Sequence, residues 1–438
     1  MWWLDSYADH KSCILLYKIV LILPNFLVRD KEKTMKRNPI NLTRSVLIWA
    51  MLGIICGLFA ASYWICLSYL MRGFENFSGV SLLIVMPLAG LLIGLIIHWL
   101  GNPGEIGLII DNIHLKGGRL PMNENPSMIL SSLISIASGG SAGPESPMVQ
   151  VTGSIGTWLA DRFKLSGEAL RTLSLAGMAS GFTVLFGAPL GGTFFALEIL
   201  HHQNVVEYFE AILPAVVASC ASYTIFVAIT QLGLGPTWNF PQYNVESLYD
   251  FGAAIAYGIV GAIMGWFFIA IFRGVGRLFD SIHSPIYVRT TLAGLALGGL
   301  SAYFPLTRFF GEHQIEKIVD GKFSFAFLLT LVVVKVLAIS VTINGGWRGG
   351  IIIPLFFIGA CLGKAITIIN PVGSNETLAM ICVMAALNST VTRTPISTTL
   401  LLAKLTGLST FTPILFASLV GFFLAPRSPF IASQRKVD

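Results

Sequence analysis

The chain has 438 residues, 54% of them apolar and only 11% charged, where a soluble domain carries about 25% charged residues. With a mean hydropathy of +0.75 it cannot cover a water-facing surface, so most of it must face lipid or other apolar helices. The net charge of +6 comes without a basic stripe interleaved with polar surface, which excludes nucleic acid as a partner.

In chain order, Arg29, Lys31, Lys33, Lys36, Arg37 and Arg44 precede the first long apolar run, and Arg427, Arg435 and Lys436 follow the last. Positive flanks favour the cytoplasmic side, so both termini are expected inside the cell's inner membrane. Residues 13–28 are apolar but broken by Lys18 and Pro24. That stretch is shorter than the roughly 20 residues that cross a bilayer and lacks a small-residue cleavage site. Residues 1–43 are therefore expected to be a cytoplasmic extension, with Met35 as an alternative start.

Long apolar segments follow near 45–71, 79–100, 206–232, 249–274, 287–303 and 323–343. Shorter ones, cut by Gly or Pro, lie at 127–138, 147–160, 169–186, 189–200, 350–367, 376–387, 395–405 and 411–425. Only helices satisfy their own backbone in lipid, so the predicted fold class is an all-α integral membrane protein of about 14 to 17 helical pieces, several not crossing completely. The cysteines Cys13, Cys56, Cys66, Cys220, Cys361 and Cys382 are scattered, mostly in apolar runs, and read as small hydrophobes. No disulfide framework, metal spacing or cofactor motif is expected.

An internal repeat organises the chain. GGSAGPESPMVQVTGSIG (139–156) and FGAPLGGTFFALEIL (186–200) in the first half answer GGWRGGIIIPLFFIGACLG (345–363) and TRTPISTTLLLAKLTG (392–407) in the second. Pro147 and Pro354 are 207 apart, as are Gly156 and Gly363, while Pro189 and Pro395, and Gly153 and Gly359, are 206 apart. Paired Gly/Pro-interrupted apolar segments mark transporters with inverted repeats. The expected division is 44–235 and 236–426 as two membrane repeats, with 427–438 a short cytoplasmic tail.

These interruptions carry the chemistry. Ser146 suits an N-cap and Pro147 a first helical position, so a helix start is presented in the membrane with free N–H groups and a positive dipole end. Similar starts fall at Pro189, at Gly349-Gly350 before Pro354, and at Pro395. Converging helix N-termini bind an anion without a full positive charge. Glu145 sits at the first start. It is either an ordinary acid stabilising its helix or a carboxylate that mimics a bound anion and leaves when protonated, and the repeat favours the second. Glu198, in FFALEILHH, is an intramembrane carboxylate and by default a functional candidate, with a structural acid near a helix end as the equal alternative. His201 and His202 mark the helix end or titrate near neutrality. Arg348, Arg393 and Lys404 read as interface anchors or carbonyl partners, with Arg348 also placed to raise local anion concentration. The glycine-rich stretches lack GxGxxG and GK[ST], and no HExxH or GxSxG supports an enzyme.

Together these residues resemble the ClC family of chloride channels and chloride/proton exchangers. G-P-E-S-P-x-V-Q-x-x-G-x-I-G (143–156) is similar to the family's G-[KR]-E-G-P-x-V-Q-x-G-x-x-I-G signature. GGIIIP (349–354) is similar to G-x-F-x-P, and the segments 186–198 and 393–401 to N-A-P-L-x-G-x-x-F-x-x-E and R-A-P-L-T. The resemblance spans roughly residues 44–426. It implies two inverted repeats of tilted, partly discontinuous helices, and a homodimer in which each subunit passes chloride or a similar small anion, with protons as a further partner. It also implies that Glu145 is the gating glutamate and that Gly350, Ile351 and Ile352 supply anion-binding amides. Gly101 or Asn102 falls where the family places a serine, and Ser409 near the position of its tyrosine. Departures are Pro144 for the basic residue, Ile352 for the phenylalanine, and Ile199 for the second acid of the E-E pair. Glu198 matches the first acid, which leaves Glu145 and Glu198 as proton-pathway candidates. Chloride versus fluoride, and exchanger versus passive channel, stay open.

Overall fold

The computed structural model describes residues 39–104, 117–200, 205–245, 247–369, 375–431 and 434. Most of the expected N-terminal extension, Cys13, His201, His202 and residues 435–438 lie outside them. Among the described residues there are fifteen α-helices and no strand. An isolated antiparallel bridge pairs Gly143 with Gly350.

The helices are α1 (Pro39–Glu75), α2 (Leu82–Leu100), α3 (Asn125–Ala137), α4 (Glu145–Arg162), α5 (Glu168–Phe186), α6 (Pro189–Glu198), α7 (Val205–Thr230) and α8 (Leu248–Asp280). They continue with α9 (Ile286–Tyr303), α10 (Glu312–Asp320), α11 (Phe325–Asn344), α12 (Ile352–Ile369), α13 (Glu376–Thr392), α14 (Pro395–Thr406) and α15 (Phe411–Phe423). The described residues from 49 onward belong to one compact unit, which holds everything from α2 on.

Among the described residues, seven helices are long and apolar enough to cross a membrane: α1, α2, α5, α7, α8, α11 and α12. They divide by surroundings. α2 and α7 leave most of their apolar surface outside the core, with Ile84 and Leu88 of α2 at 64% and 60% exposure. A water-soluble domain does not present such a face, whereas lipid covers it without cost. α5 and α12, expected only as short interrupted pieces, qualify by length yet are mostly buried by other helices.

The repeated glycines explain why the second layer packs so closely. A Cβ on Gly156 of α4 would lie 2.9 Å from Ser174 Cα of α5. A Cβ on Gly363 of α12 would lie 2.7 Å from the Met380 nitrogen of α13. Both contacts are closer than atoms tolerate, so only glycine lets each helix pair approach to that distance. The same pairings recur along the chain: α4 on α5 and α12 on α13, α5 on α6 and α13 on α14, α6 on α7 and α14 on α15. α6 packs on α14 and joins the two halves.

Helix starts depart from expectation by one or two residues. α4 opens at Glu145, not after a Ser146 cap, and α12 opens at Ile352. Both prolines, Pro147 and Pro354, therefore fall at the third helical position, where a missing N–H costs nothing because the first turn has no acceptor for it. Pro189 and Pro395 do take the first positions of α6 and α14.

Candidate functional site

The loops before α4 and α12 are tied together by their backbones. The Gly143 N–H donates to Gly350 O at 2.8 Å and the Gly350 N–H donates to Gly143 O at 2.6 Å. Ser146, freed from capping, donates its hydroxyl to Gly349 O at 3.0 Å. Two helix starts from opposite halves of the chain are thereby held side by side.

Glu145 occupies the space between them. It is fully buried, and its Oε1 accepts a hydrogen bond from the Ile353 N–H at 2.9 Å. The first turn of a helix leaves its N–H groups unsatisfied and carries the positive end of the dipole, so the carboxylate fills an anion position at the α12 N-terminus. The Ile352 amide adds to the field around it. Its Oε2 accepts no hydrogen bond among the described residues. Gly143 and Gly350 form the cradle. A Cβ on Gly350 would lie 2.7 Å from Glu145 Cβ, and one on Gly143 would lie 2.7 Å from Glu145 Cδ. The glycines at these positions leave room for a carboxylate or an anion of similar size.

The amide that bonds the carboxylate belongs to Ile353, beside the Ile351 and Ile352 amides that the resemblance assigns to the anion; α12 begins at Ile352 and Pro354 has no N–H to offer. Gly101 ends α2 with a positive φ of 94° and accepts from Ser127 Oγ at 2.6 Å. Asn102 Oδ1 accepts from the Arg348 guanidinium, which holds Asn102 against the loop leading to α12. Ser409 is not brought to this place. It lies in the turn between α14 and α15 and lines a separate cavity of about 470 Å³ with Trp238, Tyr243 and Thr377.

Glu198 sits at the C-terminal end of α6 and reaches the start of α14. Its Oε1 accepts from the Ile396 N–H at 3.1 Å, and its Oε2 accepts from the Ser397 N–H at 2.8 Å and from Ser397 Oγ at 2.6 Å. Ile199, where the resemblance places a second acid, is buried. Arg393 donates to the Pro426 and Arg427 carbonyls and Lys404 to those of Leu234 and Gly235, the carbonyl-partner role expected of them. Two buried lysines escaped the sequence reading. Lys335 of α11 donates to Thr307 O at 3.0 Å and Phe309 O at 2.8 Å, and Lys364 of α12 donates to Ile318 O and Val319 O, each at 2.8 Å. A lone cation in an apolar run was the available signal.

The chain matches the model of the family described as voltage gated chloride channel over residues 101–426. It is 28% identical over 340 residues to the chloride/fluoride channel protein of Pseudomonas syringae pv. tomato, covering 74% of this chain and 72% of that one. It is 27% identical over 315 residues to the H(+)/Cl(-) exchange transporter ClcA of Vibrio cholerae, covering 68% of this chain and 67% of that one. Its fold is similar to the crystal structure of a CLC-type fluoride/proton antiporter, with a TM-score of 0.80 at 23% identity, covering 91% of this chain and all of that one. With the expected helices, the recurring pairings and the family model agreeing over most of its length, the chain belongs to the voltage gated chloride channel family.

Proposed function

We propose that the chain carries small anions of the chloride class across the membrane, and that Glu145 gates their passage. One observation carries the reading: a buried carboxylate takes a single amide bond at a helix N-terminus, with its second oxygen unpartnered, in a cradle built of glycine. Such a group competes with an anion while ionised and gives up the position once protonated, because a neutral acid loses its attraction for the dipole end. Gly350 and the amides of Ile351 to Ile353 then face the anion, with Asn102 and Arg348 beside them. The weak hold of amides, compared with a lysine cage, permits release.

The test is Glu145→Gln in reconstituted liposomes. Chloride and fluoride fluxes are measured separately across a range of pH. The variant should carry anions with no pH dependence where the native protein is activated by acid. A Glu145→Gln protein with an unchanged pH profile removes the gate assignment. The faster of the two anions identifies the substrate.

Proton exchange through Glu198 is disfavoured by its three hydrogen bonds to α14 and by the apolar Ile199 beside it. Glu198→Gln is therefore expected to leave both fluxes unchanged. We further propose that residues 44–235 and 236–426 are the two repeats, that both termini face the cytoplasm across the inner membrane, and that the chain works as a homodimer of independent pathways.

A further inference from the structure

The segment between α7 and α8 runs as a strap along a cavity of about 470 Å³, inside the range of about 300 to 1,000 Å³ of small-molecule sites. The strap is fixed at three points. The Trp238 N–H donates to Leu405 O of α14 at 2.9 Å, Thr377 Oγ1 of α13 donates to Pro241 O at 3.1 Å, and the Tyr243 hydroxyl donates to Asp250 Oδ1 of α8. Asp250 is itself held, since its Oδ2 accepts from the Ser247 N–H at 3.1 Å. Pro236 and Pro241 restrict the backbone between these points further. Trp238 and Phe240 form a buried floor, and contact with the Phe356 ring of α12, at 6.0 Å between centroids, sets the plane of the indole.

A strap held this firmly presents groups that are free to bind. Asn239, Gln242 and Asn244 are exposed along the cavity, and their amides bond to no described residue. Ser409 adds an exposed hydroxyl from the turn between α14 and α15, and the half-buried Tyr243 a ring whose orientation Asp250 fixes. Among the described residues, no carboxylate, ammonium, guanidinium or imidazole lines this cavity. The adjoining cavity of about 290 Å³, which shares Pro236 and Trp238 with it, is lined by Glu312, His313, Glu316 and Lys404. Helix ends add little charge. α14 ends where α15 begins, so opposite dipole ends meet, and the first turn of α13 already carries Glu376 and an Asn375 side-chain cap.

A charged ligand would give up its hydration here and meet no opposite charge. An apolar one would strip water from amides and hydroxyls and leave them unpaired. Amides and hydroxyls both donate and accept, and so does a ring that carries several hydroxyl groups. Such a ring also has C–H faces that pack on an aromatic side chain. We propose that this cavity binds a neutral polyhydroxylated ring, a monosaccharide or cyclitol, either free or as the headgroup of a glycolipid. Asn239, Gln242, Asn244 and Ser409 bond its hydroxyls, and Tyr243 takes its C–H face. α13 runs from Thr377 at this cavity to Thr392 beside Arg393, which holds the carbonyls of Pro426 and Arg427. The ligand therefore arrives on the face opposite the tail.

The experiment uses the full chain, purified in a detergent without a sugar headgroup and titrated calorimetrically with glucose, galactose and myo-inositol. At least one should bind saturably, and glucuronate and glucosamine should bind about tenfold more weakly than it does. Asn239→Ala with Asn244→Ala should weaken binding by about tenfold and leave the thermal unfolding midpoint in place. If that pair disturbs the fold, Gln242→Ala alone carries the test, with a loss of about fivefold expected. A second arm places glucosyl diacylglycerol in nanodiscs with the protein. Glycolipid binding that survives equimolar free glucose assigns the headgroup as the source, and displacement by glucose assigns the free sugar. Binding of no neutral ring in either arm, equal binding of glucuronate or glucosamine, or undiminished affinity in the variants overturns the inference.

Discussion

Glu145 and Glu198 are two answers to the same structural problem. Each belongs to the first half of the chain, and each puts its carboxylate at the N-terminus of a helix from the second half, α12 and α14. Glu198 accepts three hydrogen bonds, two from amides and one from a hydroxyl, and uses both oxygens. Glu145 accepts one amide bond and leaves an oxygen unpartnered in a glycine cradle. A carboxylate that satisfies every orphan donor around it is a joint between the two halves. One that satisfies a single donor is, on the proposed reading, an occupant that another anion replaces. The chemistry of the two sites is alike, and the count of donors is what separates them.

The comparison breaks most visibly in stability. Glu198→Ala strands two amides of α14, and hydrogen bonds to a charged group are worth about 1.5 to 3 kcal/mol each. We expect a loss of about 3 kcal/mol or more, read as a lowered thermal unfolding midpoint of the purified protein. Glu145→Ala should cost less than about 1 kcal/mol, because an anion or water takes over its single donor. Equal losses from the two variants would show that Glu145 is as much a joint as Glu198.

The second effect concerns the cradle. Gly350→Ala places a methyl 2.8 Å from Glu145 Cδ, so the carboxylate must leave. The variant should lose most of its pH-dependent activation. In a Glu145→Gly background, which removes the Cβ as well as the carboxylate, the added methyl should cost little, giving an interaction energy of about 1 to 3 kcal/mol between the two sites. Additive effects would mean that the glycine serves the backbone bridge and not the carboxylate.

What the sequence revealed of this arrangement follows the range of the forces involved. Gly156 and Gly363 were legible as a pair because helix contact at that distance tolerates no Cβ, whichever residues lie opposite. Glu145 was legible because an acid beside glycine and proline, inside an apolar run, has few structural uses. That Ile353 donates to the Glu145 carboxylate was not legible, since a helix start is fixed by tertiary contacts and shifts by a residue without any change in pattern. The partners of Glu198 lie 198 and 199 residues away, and no local rule connects them. Lys335 and Lys364 went unread because their carbonyl partners lie at the ends of separate segments. Ser409 was placed by its distance from the last repeat helix, but the turn between α14 and α15 carries it to a different cavity.

The finest test compares the two serines that attend these carboxylates. Ser397 Oγ donates to Glu198 directly at 2.6 Å, but two amides remain when it is removed. Ser146 Oγ does not touch the Glu145 carboxylate; it donates to Gly349 O at 3.0 Å and braces the loop that presents Gly350. Each hydroxyl is worth about 1 kcal/mol, so the two alanine variants should lose similar stability. Their effects on transport should differ. Ser397→Ala is expected to leave the half-saturating chloride concentration unchanged. Ser146→Ala is expected to raise it by about two- to fivefold, since a loosened bridge between Gly143 and Gly350 costs a bound anion part of that energy. Equal behaviour of the two would mean that the cradle is stiff without its serine, and that the backbone exchange between Gly143 and Gly350 alone sets the geometry of the site.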